Sequence, residues 1–235
     1  MLNFFTSRRA QKLEGESPFW ISFSDLMTAL MALFLLVMAV TLISVTKDVT
    51  AAERRKIQRE KDIQELMAEI RKDSREFPDV QVDASTYRID LGNVVHFHSG
   101  SADISEAGSR FLRAYIPVIL KTQATALGKE WIRRIVVEGY TDQDGTYLFN
   151  LGLSLRRSES VVCMLLNSPN SNEPQLSDEQ RQQIVNLFLV GGYSFNSIKA
   201  SKEESRRVEL KIEFWPLDAP REPSSVLKNK EIGQC

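Results

Sequence analysis

The hydrophobic pattern divides the chain into three stretches of different character. Residues 19–45 are almost continuously apolar, and residues 51–76 are mostly charged with a thin apolar stripe. From about residue 80 onward, β-branched runs alternate with amphipathic stretches. The first stretch is long enough to cross a bilayer, which takes roughly 20 apolar residues, and Trp20 lies where an interfacial aromatic residue belongs. We therefore predict one membrane-spanning helix over residues 19–46.

A cleaved signal peptide is the alternative for this stretch. However, the stretch is longer than the apolar core of a signal peptide, no small-x-small cleavage site follows it cleanly, and it contains an acidic residue. These features favour a retained helix. Basic residues flank both ends, so the positive-inside rule leaves the orientation open.

The acidic residue is Asp25, which lies about 8 Å along the helix from Trp20 at 1.5 Å per residue. An ionised carboxylate near the centre of a lone membrane helix costs roughly 2.5–3.5 kcal/mol or more, and Asp is too short to reach back to water. Such residues are retained where they meet a partner or a wet cavity. Exclusion of water also favours the protonated form that a proton carrier needs. The alternative is a polar residue near the interface with no ion to carry.

One face of the predicted helix combines this carboxylate with mostly small side chains. By three- and four-residue steps it carries Ser22, Asp25, Ala29, Ala32, Leu36 and Ala39. The other face carries bulky side chains: Phe23, Leu26, Leu30, Phe34 and Val37. Because small residues let membrane helices approach closely, we predict that Ala29, Ala32 and Ala39 pack against another helix.

The charged stretch predicts a helical linker over residues 47–79. It contains no glycine or proline between residues 51 and 76, and its apolar stripe has helical spacing: Ile63, Leu66, Met67 and Ile70. A solvated amphipathic helix explains this pattern. A short coiled coil between two copies is the alternative.

Residues 80–215 predict an α+β domain with helices packed on one sheet. Two strands or a hairpin with a Gly92-Asn93 turn are expected in STYRIDLGNVVHF, and single strands in RRIVVEGY and RRVELKIEF. Helices are expected in SEAGSRFLRAYIPVILKT and LFNLGLSLRRSESVVCMLL. Ser177 and Gln180 form a capping box for a further helix that ends near Phe188. Residues 216–235 contain several prolines and are expected to be flexible.

Composition removes several classes of function. Lys and Arg total 30 against 31 Asp and Glu, without the basic excess of a nucleic-acid-binding protein. No catalytic triad, phosphate loop or metal-ligand spacing occurs, so we predict no enzymatic activity, no cofactor and no metal site. His96 and His98 are assigned structural roles. Cys163 is expected to be a buried helix position, and Cys235 could pair with its counterpart in a dimer in an oxidising compartment.

One motif in the α+β domain is specific. GYTDQDGTYLFNLGLSLRRSESVVCML resembles the core signature of OmpA-like peptidoglycan-binding domains. The matching residues follow without a gap: Gly139, Thr141, Asp142, Gly145, Asn150, Leu153, Ser154 and Arg157. The chain departs from the family pattern at Tyr140, where His is frequent, and at Ser205, where Asn is usual, which leaves the detail of the pocket open.

The resemblance implies a ligand. In that family the matching Asp and Arg hold the zwitterionic end of diaminopimelate in a peptidoglycan stem peptide. A carboxylate suits the ammonium and a guanidinium fork suits the carboxylate. By resemblance, Asp142, Arg157, Thr141 and Asn150 form the peptidoglycan site, and an internal salt bridge between Asp142 and Arg157 is the alternative. Because peptidoglycan lies outside the cytoplasmic membrane, residues 1–18 would be cytoplasmic and the domain periplasmic.

The two ends of the chain together resemble a MotB-type stator subunit of an ion-driven motor. FWISFSDLMTALMALFLL is similar to the N-terminal motif of that family, in which the Asp carries the ion, two copies pair, and a ring of MotA-like subunits surrounds them. The short linker and FSDLMTALMALFLLVMAV resemble the subunits of Zorya anti-phage defence systems more than flagellar ones. The resemblance implies Asp25 as the ion carrier, a homodimer, and a MotA-like (ZorA-like) ring as partner. A lone carboxylate fits proton transfer more simply than sodium transfer.

The expected architecture is a single N-terminal transmembrane helix plus an α+β OmpA-like periplasmic domain, located in the cell inner membrane. Three functions stay open: an ion-driven motor subunit used in anti-phage defence, a flagellar-type stator subunit, and a passive cell-wall anchor without ion conduction. Asp25 and its small-residue face argue against the third.

Overall fold

The computed structural model of the 235-residue chain describes residues 17–167, 174–219 and 233. The chain divides into two compact units, Met1–Arg55 and Lys56–Cys235. The expectations for the N-terminal residues 1–16, for Cys235, and for nearly all of the tail beyond residue 219 lie outside the described residues.

Helix α1 runs over Ser17–Asp73 and confirms the helix predicted for the apolar stretch. In the first unit, every described side chain between Ser22 and Arg55 is exposed. Within the described residues, this is the one helix whose length and composition suit a membrane crossing, with a mean hydropathy of 2.7 in its most apolar window. We expect such an apolar surface to contact lipid or another helix.

The second unit is built on a five-stranded sheet. Its strands are β1 Gln81–Asp83, β2 Arg88–Asp90, β3 Ile132–Gly139, β4 Phe188–Gly192 and β5 Val208–Phe214. Their spatial order is β1-β2-β5-β3-β4, in which β3 and β4 are parallel and all other neighbours are antiparallel. The strands predicted in RRIVVEGY and RRVELKIEF are confirmed. STYRIDLGNVVHF contains one strand, β2, followed by a 3-10 helix over Gly92–Val95, and neither β1 nor β4 was predicted.

Among the described residues, the same unit contains five further α-helices. They are α2 Glu106–Ala124, α3 Ala126–Trp131, α4 Tyr147–Leu166, α5 Asp178–Leu187 and α6 Lys202–Ser205. The predicted capping box of Ser177 and Gln180 is present at the start of α5. Buried apolar side chains from α2, α4, α5 and the strands form one core, for example Ile116, Val161, Ile184, Val137 and Leu210. The predicted α+β architecture is therefore confirmed.

The apolar stripe of the charged stretch belongs to this core. Four of its side chains are fully buried: Ile63, Leu66, Met67 and Ile70. Arg59 Nε donates to the carbonyl oxygen of Trp215 at 2.9 Å, and Trp131 Nε1 donates to Asp62 Oδ2 at 3.0 Å, so polar contacts also hold this segment. The stripe is therefore neither solvated nor free to pair with a second copy. The sequence pattern reveals an apolar helix face but not the surface that covers it.

Two smaller expectations can also be compared with the structure. Cys163 lies on α4 as predicted, but it is half-buried rather than buried, and it is disulfide-bonded. His96 Nδ1 lies 2.5 Å from the carbonyl oxygen of Asn93. Among the described residues, no group of three or more potential metal ligands occurs.

Candidate functional site

The OmpA-like motif lies where β3 meets α4. Gly139 ends β3 so close to α4 that a β-carbon at this position would lie 2.0 Å from the carbonyl oxygen of Ser154. The close approach of strand and helix therefore requires the glycine of the motif. The backbone N–H of Thr141 donates to the carbonyl oxygen of Ser194 at 3.0 Å, which ties the junction to the segment after β4.

The loop between β3 and α4 is held by the first turn of the helix. Asp142 Oδ1 accepts a hydrogen bond from the backbone N–H of Asp144 at 3.1 Å. Gly145 adopts a φ of 97°, a conformation that favours glycine. Asn150 Nδ2 donates to the carbonyl oxygens of Asp144 and Thr146 at 2.8 and 3.2 Å. Asn150 thus fixes the loop that presents Asp142.

Asp142 makes an internal salt bridge, but its cation is Arg206. The carboxylate is 6% exposed, and its Oδ2 lies 2.9 Å from Arg206 Nη1. Arg206 also donates to the carbonyl oxygen of Phe97 at 3.0 Å and to Glu203 Oε1 at 2.8 Å. The hydrogen bond that Arg206 donates to Asp142 raises the pKa of Arg206. The sequence indicated Arg206 only as part of the predicted strand RRVELKIEF, because nothing local connects it to a loop 64 residues earlier.

Arg157 lies fully buried behind Asp142. Its Nε, Nη1 and Nη2 donate to carbonyl oxygens at 2.9, 2.8 and 3.0 Å, respectively, those of Ser101, Tyr140 and His98. Burial lowers the pKa of Arg157 to about 10, an effect that Asp142 opposes and Arg206 reinforces. The guanidinium is therefore charged at neutral pH, and it joins two segments of the chain at the base of the site.

The arrangement can accommodate a small zwitterion. The Arg206 guanidinium would suit a ligand carboxylate, and the buried charge of Arg157 nearby would add to that preference, while Asp142 would suit an ammonium. Thr141 Oγ1 and Asn150 Oδ1 are buried without a hydrogen-bond partner in the described part of the chain. Buried polar atoms usually have hydrogen-bond partners, so these two oxygen atoms are free to bond to a ligand. Since Asp142 is nearly closed off, a ligand would have to displace the Arg206 side chain.

The residues of the predicted ion path lie in the first unit. The carboxylate of Asp25 is exposed, and no hydrogen bond or ion pair engages it within the described residues. Thr28 Oγ1 donates to the carbonyl oxygen of Ser24 at 2.5 Å and lies 3.0 Å from that of Asp25. The packing positions Ala29, Ala32 and Ala39 are exposed as well, on a continuous helix that gives them the spacing of one face. No part of the chain that the structure describes packs against this surface.

Comparison with known proteins adds evidence from the whole chain. Residues 7–54 match the family model described as membrane MotB of the proton-channel complex MotA/MotB. Two solved structures are similar to parts of the chain. The periplasmic domain of Helicobacter pylori MotB is 18% identical, over 56% of this chain and 75% of that one, with a TM-score of 0.40. The OmpA-like domain of FopA1 from Francisella tularensis subsp. tularensis SCHU S4 is 14% identical, over 58% of this chain and 82% of that one, with a TM-score of 0.36.

A relative of nearly equal length is more informative. The Zorya protein ZorB of Escherichia coli O139:H28 (strain E24377A / ETEC) is 41% identical over 238 residues, which cover 99% of this chain and 97% of that protein. The aligned region includes both the apolar helix and the α+β domain. The chain therefore belongs to the ZorB family, with a MotB-like N-terminal segment.

Proposed function

We propose that this protein is the peptidoglycan-anchored subunit of a proton-driven motor complex in the inner membrane, and that the motor serves anti-phage defence. The observation that carries the proposal is the carboxylate of Asp25, exposed on an apolar helix in a chain whose second unit presents the Asp142 motif. A passive anchor has no use for a carboxylate at that place. Membership of the ZorB family favours defence over a flagellar-type stator role.

Asp25 is the proton carrier in this proposal. Its carboxylate takes up a proton, becomes neutral in the low-dielectric membrane, and releases the proton on the other side of the helix interface. The face that carries Ala29, Ala32 and Ala39 packs against a second copy of the chain and a surrounding ring of MotA-like (ZorA-like) subunits. Such packing would cover a surface that a single chain leaves exposed.

The second unit holds the protein still against the wall. Residues 1–18 are cytoplasmic and the domain is periplasmic, where Asp142 binds the ammonium of a peptidoglycan stem peptide. The Arg206 guanidinium, once displaced from Asp142, would pair with the carboxylate of the same ligand, and the buried charge of Arg157 behind Asp142 favours that carboxylate. Arg157 positions the strand and the loop, because its three hydrogen bonds go to backbone carbonyls. A subunit held in this way can resist the torque of moving partners.

The decisive test changes the carboxylate without changing its shape. Asp25→Asn in cells that express the complete system should reduce protection against phage plating to the level of an empty vector, because an amide cannot take up and release a proton. The variant should remain inserted and co-purify with its ring partner at normal amounts. Asp25→Glu, which keeps a titratable group, should retain part of the protection. Full protection by the Asn variant would refute the ion-carrier role.

A further inference from the structure

The face of the sheet that points away from the core carries a polar cleft. Ile89 of β2 and Leu210 of β5 point into the core, so their neighbours Arg88 and Glu209 point to the opposite face. On that face, β1, β2, β5 and the segments that follow β3 and β4 line a cavity of about 600 Å³. This volume falls in the range of roughly 300–1,000 Å³ that is typical of small-molecule sites.

We propose that this cleft binds the glycan part of peptidoglycan, as a second subsite beside the one at Asp142. The inference rests on the proposed function, in which Asp142 binds the stem peptide. It assigns to the cleft the uncharged, N-acetylated sugars that carry that peptide.

A second cavity, of about 380 Å³, connects the cleft to the Asp142 site. The two cavities share four lining residues, which are Gln81, Asp90, Lys199 and Arg207. Glu203 also lines the second cavity, and its Oε1 accepts a hydrogen bond from Arg206 Nη2 at 2.8 Å. Since Arg206 is the cation that holds Asp142, a groove leads from the Arg206–Asp142 pair to the cleft.

The length of a stem peptide fits this spacing. Tyr140 lines the cleft and precedes Asp142 by two residues, so their Cα atoms are at most about 7 Å apart. In peptidoglycan, diaminopimelate is the third residue from the sugar, a span of about 10 Å at roughly 3.3 Å per residue. A ligand whose diaminopimelate is held at Asp142 can therefore reach the cleft with its sugar.

The charges of the cleft favour an uncharged ligand. Each of its three cations is paired with a carboxylate, in the pairs Arg88–Glu138, Arg207–Glu209 and Lys199–Asp90. The nitrogen–oxygen distances of the first two pairs are 2.9 and 2.7 Å. An anionic ligand would have to compete with these carboxylates for the cations, whereas a sugar can leave the pairs intact.

The uncharged side chains of the cleft suit hydroxyl and acetamido groups. Four of them are polar and can donate or accept hydrogen bonds: Gln81, Thr86, Asn196 and Ser197. Tyr193 adds an aromatic surface, and its ring stacks on Tyr140 with 5.4 Å between the centroids. A β-carbon at Gly191 would lie 3.1 Å from Tyr193 Cε2, so the glycine leaves room for this ring. A sugar ring, which has both apolar C–H groups and hydroxyl groups, matches such a lining.

Ligands with and without the sugar test the cleft in the full chain. The detergent-solubilised protein is titrated in a calorimeter with the tripeptide L-Ala-γ-D-Glu-diaminopimelate, and with the same tripeptide attached to its disaccharide. We expect the disaccharide form to bind about tenfold more tightly, the gain that one or two hydrogen bonds provide. Equal affinities would overturn the proposal; the proposed function would still stand if Asp142→Ala weakens both ligands. If neither ligand binds the original chain, both proposals fail.

A blocking variant locates the sugar. Ser197 is exposed and lines the cleft, and Ser197→Trp adds bulk there while it keeps the carbonyl oxygen that accepts from Arg207. This variant should lose the gain from the disaccharide and bind the free tripeptide as before, which also shows that the domain has folded. Ala200→Trp is the matched control, because Ala200 is exposed three residues later and lines neither cavity.

Asn196→Ala provides a second variant that adds no bulk. The exposed amide lines the cleft, so its removal should reduce the gain from the disaccharide without changing the affinity for the tripeptide. If Ser197→Trp loses tripeptide binding as well, Asn196→Ala decides the assignment. A full gain from the disaccharide in Asn196→Ala and in a folded Ser197→Trp would mean that the sugar binds elsewhere and that the cleft is misassigned.

Discussion

Leu66→Ala should destabilise the second unit, because Leu66 is a core residue of that unit. The side chain is fully buried on α1 together with Ile63, Met67 and Ile70. This placement differs from that of a solvated linker, in which the same substitution would cost almost nothing. The substitution therefore reports whether the charged stretch belongs to the domain.

The expected magnitude follows from the burial of Leu66. Removing the equivalent of three methylene groups loses about 2.4 kcal/mol of transfer free energy at about 0.8 kcal/mol each, and the cavity that remains raises the total to about 3 kcal/mol. With a urea m-value of about 2 kcal/mol per M, the unfolding midpoint should fall by about 1.5 M. Trp131 is a suitable fluorescent probe, because it is mostly buried. Its Nε1 donates to Asp62, which lies on α1 as Leu66 does.

Glu65→Ala is the matched control. Glu65 is the neighbouring residue on α1 and is exposed, so its replacement should leave the free energy of unfolding within about 0.5 kcal/mol of the original. The measurement uses the full chain in detergent at several protein concentrations. If Leu66→Ala behaves like Glu65→Ala, the helix does not belong to the core. A midpoint that depends on protein concentration would instead indicate a coiled coil between copies.

Three further outcomes are expected. Asp142→Ala should weaken pull-down by purified peptidoglycan by roughly 2–5 kcal/mol, since the ligand ammonium loses its partner, whereas Arg157→Ala should also lower the unfolding midpoint, since three buried carbonyl groups lose their donor. Ala32→Trp should disrupt co-purification of the ring partner more than Leu30→Trp on the opposite face; equal effects would mean that the packing face is misassigned. Burial raises the pKa of Tyr115 to about 12. The contribution of Tyr115 to the free energy of unfolding is therefore complete below about pH 10, declines as the pH rises, and is lost above 12. In Tyr115→Phe, the urea midpoint should depend less on pH across this range.

Sequence patterns predicted those features that depend on local chemistry. The apolar run predicted the membrane helix, and the Ser177 capping box predicted α5 because its partners lie within three residues of each other. Strands β3 and β5 were predicted because their β-branched runs are continuous. In contrast, β4 directly follows α5 and contains two glycines, so its FLVGG sequence carries little strand signal of its own. Its place is fixed by parallel pairing with β3.

The candidate site shows the same limit. The motif residues Asp142, Asn150 and Arg157 lie in one region of the fold, where β3 meets α4. It could not show that Arg206 would take the salt bridge, because that contact depends on how β5 and α6 pack near the loop. Nor could it show that three donor nitrogens of Arg157 would bind backbone carbonyl oxygens. Every residue has a carbonyl group, so the sequence does not indicate which of them lie near the guanidinium. Contacts of this kind become visible only when the three-dimensional structure is known.

The hydrogen bonds of Arg157 have a consequence for the order of folding. Two of its three carbonyl partners lie 56 and 59 residues earlier in the chain, and Asp142 pairs with Arg206, 64 residues later. Contacts between such distant residues form only after the intervening chain has been ordered, because loop closure costs entropy before the contact repays it. A guanidinium cannot leave water until all of its acceptors are in place. The candidate peptidoglycan site is therefore completed late, when nearly the whole domain has folded.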